Sequence, residues 1–148
     1  MFTPGKITVM TAESKPKTLE VVGLIYIRDG KLLVTKSQKY DKYYLPGGKI
    51  ELGESPEQAL IREVSEEIGA NIHIDSLKLY QIVSSDAYGQ GSGVKLKMYC
   101  YQAEISEEPS PCNEIEKIAW FTYKDLDKCP PAGKVVMDLL LSDSLITF

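Results

Sequence analysis

The chain has 148 residues, with 17 Lys and Arg against 21 Asp and Glu, a formal net charge of −4, and 43% hydrophobic residues. This length predicts one domain that buries about 70% of its unfolded surface. The acidic balance argues against a nucleic-acid polymer as partner, since backbone contact requires clustered Lys and Arg, and no apolar run approaches the ~18 residues that cross a bilayer.

Residues 1–17 mix Thr, Lys, Pro and Glu. They read as a loose lead-in to a single domain at 18–148, and they lack the apolar centre of a secretory signal, so a cytoplasmic location is expected. Val21 to Ile27 is a continuous apolar run of buried-strand length. Asp29-Gly30 then separates it from Leu32-Leu33-Val34, which predicts a tight hairpin. Tyr43-Tyr44-Leu45 leads into Pro46-Gly47-Gly48, where the backbone must turn.

Ser55 to Gly69 carries every signal of a helix. Ser55 is an N-cap, Pro56 fits the first helical position, Gln58 completes a capping box, and Gly69 supplies a left-handed stop. Strands are expected over Leu77 to Val83, over the alternating Val94 to Tyr101, and over Ile115 to Phe121. Gly89 to Gly93 reads as a plain loop rather than a phosphate cradle, since no helix follows it. Ser106 to Asn113 is an acidic loop, and Val135 to Leu141, behind Pro130-Pro131, is a short amphipathic helix. Strands interleaved with two helices predict an α/β fold with a mixed sheet flanked by helices.

Cys100, Cys112 and Cys129 are an odd set without C-x-x-C spacing, which excludes a disulfide framework or a zinc site of that type. Cys100 is expected to pack in a strand. The lone His73, between Ile72 and Ile74, reads as an ordinary strand position.

With Leu60 at zero on the helical wheel, Val64, Ile68 and Ile61 fall within roughly 100° and form the apolar stripe. Glu66, Glu63 and Glu67 fall at about 240°, 300° and 340°, a shared acidic arc. Such an arc is either a solvated face or a cation site. Only Arg62 offsets these charges locally, and like charges at i, i+4 cost stability. A hard divalent cation such as Mg²⁺ would remove that cost.

From Gly48 the chain reads Gly, five residues, Glu54, seven residues, then Arg62-Glu63-Val64-Ser65-Glu66-Glu67-Ile68-Gly69-Ala70. This resembles the Nudix box, G-x5-E-x7-R-E-U-x-E-E-x-G-U, with U a bulky aliphatic. Ala70 is the one departure, at a packing position. The resemblance implies an α/β/α sandwich and a Mg²⁺-dependent hydrolase of diphosphate linkages, with Mn²⁺ as an alternative ion. It implies that Glu63, Glu66 and Glu67, with the carbonyl of Gly47, hold the metal. Arg62 would orient the carboxylates, with Gly48 and Glu54 supporting the loop-helix motif.

Glu66 and Glu67 are also candidates for the catalytic carboxylate. Glu114 and Glu116, ahead of Trp120, are candidates for a base on a distant loop, although ordinary surface charge explains them equally. Lys36 is a candidate phosphate-binding cation, and Tyr43 or Tyr44 could stack on a base unless they are core. The resemblance implies a small nucleotide-like substrate and a homodimer as a candidate assembly. The compact size is similar to family members that split a nucleoside triphosphate to monophosphate and pyrophosphate, which the resemblance makes the leading expectation. The alternatives are a dinucleoside polyphosphate or nucleotide sugar and, in a different class, a non-catalytic nucleotide sensor.

Overall fold

The structure is a computed structural model and describes residues 17–148 apart from Ser92. The expected lead-in lies outside the described residues except for Lys17, which opens the first strand.

Strand β1 (Lys17–Ile25) is followed by β2 (Ile27–Arg28), β3 (Lys31–Ser37), β4 (Gly47–Lys49), helix α1 (Pro56–Ile68), β5 (Lys78–Asp86), β6 (Val94–Gln102), β7 (Ile115–Phe121) and helix α2 (Pro131–Ser142). One sheet has the order β4-β1-β6-β5 and a second β2-β3-β7. Only β1 and β6 run parallel, so the larger sheet is mixed and the smaller antiparallel.

The apolar run from Val21 to Ile27 is not one strand. It breaks at Tyr26, whose carbonyl already accepts from the Leu33 N–H across the smaller sheet. One stretch of chain therefore serves both sheets. Asp29 and Gly30 both have positive φ (54° and 73°), as the expected tight hairpin requires. His73 does not occupy the expected strand position. It is exposed, and its carbonyl accepts from both the N–H and the hydroxyl of Ser76, which curls the chain into a 3₁₀ turn at Ile74–Ser76.

Alternation along β1 divides the core. Val22 and Leu24 join Leu33, Tyr101 and the apolar stripe of α1, while Ile25 joins Leu32, Val34, Met98 and Phe121 against α2. Helices on both faces of the sheet layer complete an α/β/α arrangement. Helix α1 buries Ala59, Leu60, Val64 and Ile68, with Ile61 partly buried. Leu60, Val64 and Ile68 are each worth about 1.5–3 kcal/mol of burial. The helix begins with the expected reciprocal Ser55–Gln58 capping box and ends at Gly69 with φ 66°.

Cys100 packs fully buried in β6, and Cys129 is also buried. Helix α2 starts four residues before the expected Val135 because Pro131 takes the first helical position.

Candidate active site

Helix α1 lies against β4 and β1, with its acidic arc turned toward the glycine turn. The Gly47 N–H donates to Glu67 Oε1 at 3.0 Å. A Cβ on Gly48 would sit 1.6 Å from Glu63 Oε2, so the bare backbone is what lets the Glu63 carboxylate rest there.

Arg62 ties these parts together. Its Nε and Nη2 donate to Glu54 at 2.7 and 2.9 Å, a two-pronged bond, and Nη2 also reaches the Lys49 carbonyl at 3.2 Å. Nη1 lies 3.3 Å from Glu63 and 3.7 Å from Glu66. Glu54 in turn accepts from the Glu51 N–H. These bonds hold the Glu54 carboxyl far down, at about 2, with the Arg62 hydrogen bond as the main cause.

The acidic arc behaves in the opposite way. Burial, then the charges of Glu66 and Glu114, push Glu63 up to about 7 against the pull of Arg62. Burial, reinforced by Glu63, Glu114 and Glu66, pushes Glu67 up to about 8, despite the Gly47 N–H. Glu66 is the exposed member of the set, its side chain 55% accessible.

Glu114 reaches this group through the end of α1. The last carbonyls of a helix lack intrahelical partners. Here the segment before β7 provides them: Ser110 N–H donates to the Ile68 carbonyl, Cys112 N–H to Glu67, and the Asn113 side chain to Glu66. Asn113 adopts a left-handed φ of 53°, and the next residue is Glu114. Glu66, Glu67 and Glu114 border one hollow with Cys112 and Asn113.

A second cleft, of about 270 Å³, is lined by Glu67, Glu114, Gly47 and Gly48. Leu19 and Val21 of β1 and Leu96 and Met98 of β6 give it an apolar floor. Tyr40 and Tyr44, between β3 and β4, form one wall, and Tyr88 and Gln90, between β5 and β6, another. The start of α2, at Pro130 to Gly133, also borders it.

The donor set suits a hard cation. Among the described residues no three acidic, His or Cys groups form a preformed metal cage, yet Glu63, Glu66 and Glu67 share one helix face and offer only oxygen. Half-buried Glu63 and Glu67 are held partly protonated by burial and mutual repulsion. A divalent ion would favour the ionised carboxylates against both causes.

The NUDIX domain sequence profile matches residues 17–139. The chain belongs to the Nudix family. The 8-oxo-dGTP diphosphatase of Escherichia coli K12 is 41% identical over 58 residues, 36% of this chain and 45% of that protein. The CTP pyrophosphohydrolase of the same organism is 44% identical over 57 residues, 36% of this chain and 42% of that protein. The crystal structure of a MutT NUDIX hydrolase from Burkholderia pseudomallei superposes with a TM-score of 0.64 at 25% identity, covering 82% of this chain and 97% of that one. The matched segments span from 10% to 45% of the lengths of the curated relatives.

Within the Nudix frame, the structure gathers Gly47, Gly48, Glu54, Arg62, Glu63, Glu66 and Glu67 into one connected group, and brings Glu114 beside it. Glu116, in β7, lines neither hollow. Tyr44 borders the cleft, whereas Tyr43 packs on Phe121 at 4.9 Å between ring centroids. Lys36 does not line the cleft. Strand alternation turns Thr35 and Ser37 toward it, and Lys36 Nζ donates to the Ser37 carbonyl. Lys39, in the turn after β3, does line it, as do Tyr40 and Tyr88. The sequence does not mark Lys39 or Tyr40, because their approach to the site depends on how distant parts of the chain meet.

Proposed function

We propose that the chain is a Mg²⁺-dependent pyrophosphohydrolase that splits a nucleoside triphosphate into monophosphate and pyrophosphate. The observation that carries this reading is the single cleft joining the Glu67 and Glu114 carboxylates to an apolar, tyrosine-walled slot. At about 270 Å³, the slot is near the small end of ligand sites. It suits one nucleoside better than the two of a dinucleoside polyphosphate.

In this reading Glu63, Glu66 and Glu67, with the Gly47 carbonyl, hold the cation, with Mn²⁺ as a substitute for Mg²⁺. The bound ion supplies charge neutralisation and Lewis acidity at the phosphoryl oxygens. Arg62, anchored on Glu54, keeps Glu63 and Glu66 oriented. The Gly47 N–H fixes one oxygen of Glu67 and leaves the other free for the ion. Glu114 takes the proton of the attacking water. Displacement at phosphorus is then mainly positioning and charge stabilisation, with no covalent nucleophile needed. Tyr44 flanks the base, and Lys39 stands in the place first expected of Lys36 as a cation near the phosphates.

The test is chromatographic product analysis with Mg²⁺ and a panel of nucleoside triphosphates, an oxidised triphosphate, ADP-ribose and a dinucleoside polyphosphate, with Glu67→Gln as control. Monophosphate and pyrophosphate from a triphosphate, absent in the control, are expected. Release of phosphate alone, or a clear preference for a dinucleotide, would overturn the assignment. Nucleotide binding with no turnover would make the chain a sensor.

A further inference from the structure

The two loops that wall the cleft are joined by one side-chain bond. The Tyr88 hydroxyl donates to Asp41 Oδ1 at 2.9 Å, across 47 residues of sequence. Among the described residues this is the hydrogen bond that links the β5–β6 turn to the opposite rim; its other bonds stay within the hairpin. Past Tyr88, Gly89 and Gly91 stand in open space on either side of Gln90, which still borders the cleft. Gly89 and Gly91 have φ of 74° and 87°, and a Cβ at either would meet nothing within 4 Å.

On the opposite rim, Tyr40 packs against Tyr44 with ring centroids 5.5 Å apart. All three tyrosines border the cleft, and Tyr40 and Tyr88 are 39% and 36% exposed. Large aromatic rings left that accessible at the rim of an apolar slot lack a full partner. The glycines explain how the Tyr88 side can move, and Asp41 explains why it stays put.

We propose that the Tyr88–Asp41 bond is a latch across the mouth of the cleft, and that Tyr88 is a substrate-contacting wall whose tethered ring fixes the width of the base slot. The proposal rests on the nucleotide reading above. Asp41 does not line the cleft; it acts through Tyr88 and is a positioning residue. With the latch closed, the Tyr88 ring faces the slot opposite Tyr44, and a flat heterocycle enters between them. With the latch open, the turn swings on its glycines and the slot loses one wall.

The test compares the wild type with Tyr88→Ala, Tyr88→Phe, Asp41→Ala and the Phe/Ala double variant. Two quantities are read: affinity for a non-hydrolysable nucleoside triphosphate analogue with Mg²⁺, and amide hydrogen exchange over 86–91. Tyr88→Ala should weaken binding roughly tenfold, the scale of a lost aromatic platform for a base. Tyr88→Phe and Asp41→Ala should each weaken it by a similar, smaller factor and speed exchange in the turn equally. The double variant should add nothing, because both changes remove the same bond.

Affinity indifferent to Tyr88→Ala overturns the wall. Additive effects in the double variant, or exchange unchanged by either single variant, overturn the latch. Analogue binding by the wild type without triphosphate hydrolysis would defeat the proposed activity while leaving these comparisons decisive. No analogue binding at all would remove the slot and the nucleotide reading together.

Discussion

The N–H of Gly47 donates to Glu67 across 20 residues of sequence, and this bond sets where the helix carboxylates stand relative to the turn. Gln at position 67 can still accept that hydrogen bond through its amide oxygen, but it lacks the charge with which Glu67 is proposed to hold a cation. Glu67→Gln should therefore lower kcat by about 10²–10³-fold, the scale of losing one electrostatic contact to the transition state. The melting temperature should stay level or rise, since a like charge is removed. Steady-state kinetics and thermal unfolding on the same preparation check both halves, and undiminished turnover would remove Glu67 from the metal site.

Acidity should govern the metal-free protein in a defined window. Glu67 titrates at about 8 and Glu63 at about 7 in the fold, against an ordinary 4.5. A raised carboxyl favours the folded state while protonated. Its contribution is complete below pH 4.5 and is lost as pH rises through 7 to 8. Without metal, the melting temperature should fall between pH 5 and pH 9, and Glu67→Gln should flatten that fall. Saturating Mg²⁺ should remove it, and metal binding near neutral pH should release protons. Glu54 contributes with the opposite sign, above pH 4.5, and is lost only as pH falls toward 2. Thermal scans across pH with and without Mg²⁺ measure these slopes. A pH-independent melting temperature in the metal-free protein would contradict the burial of the acidic arc.

Neighbouring glycines should fail differently. At Gly47 a Cβ would meet the backbone oxygen of Val22 at 1.9 Å, whereas at Gly48 it would meet the far end of the Glu63 side chain. Backbone cannot yield cheaply and a carboxylate can. Gly47→Ala should lower the melting temperature by about 10 °C or prevent folding, the scale of a clash worth roughly 3 kcal/mol. Gly48→Ala should fold with a melting temperature within a few degrees of the wild type and lose about 10–100-fold in metal affinity as Glu63 swings away. Calorimetric Mn²⁺ titration and thermal unfolding separate the two. Equal behaviour of the two variants would contradict this account of the turn.

Arg62→Lys keeps the charge and loses the planar fork. Because Arg62 reaches Glu54, Lys49, Glu63 and Glu66 at once, a point charge cannot replace it. Metal affinity should drop by about 10–100-fold while the helix content seen by circular dichroism is unchanged. Wild-type affinity in Arg62→Lys would show that charge alone suffices.

Glu114→Gln isolates the proposed base. It should reduce kcat by about 10²-fold and leave the Mn²⁺ titration within a few-fold of the wild type, since Glu114 approaches from outside α1. A large loss of metal affinity instead would make Glu114 a ligand.

The legible parts of this molecule are those written locally. The Ser55–Gln58 box, Gly69 and the spacing of the carboxylates on α1 lie within a few turns of one helix, so periodicity and capping chemistry reach them. The break at Tyr26 is different. Tyr-Ile continues an apolar run without interruption, and only pairing with Leu33 in the second sheet ends the first strand there. Strand β4 contains Gly-Gly-Lys and has no alternation to read; its existence is imposed by β1. Lys36 shows the same limit at the site. Its strand was legible, but which side of that strand meets the cleft depends on where β1, β6 and the tyrosine loops lie. The sequence places the start of helix α2 too late, at Val135, because Pro130-Pro131 reads as a boundary, when the second proline is the first helical residue.

The residues proposed to hold the metal are spelled out in one short continuous passage of chain, while the far walls of the slot come from two loops joined, among the described residues, by one side-chain bond. Those two halves can change independently. If Tyr88 walls a base slot as proposed, a lineage or an engineer can lengthen the turn after Asp86 or exchange Tyr88 for a smaller side chain and so admit a different base, with the helix, its caps and its carboxylates left as they are. The reverse trade is narrower, because Gly47, Gly48, Glu54 and Arg62 hold the carboxylates in place. On the proposed function, diversity of substrate in such a design would collect at the rim, and the carboxylate end would stay the same from one specificity to the next.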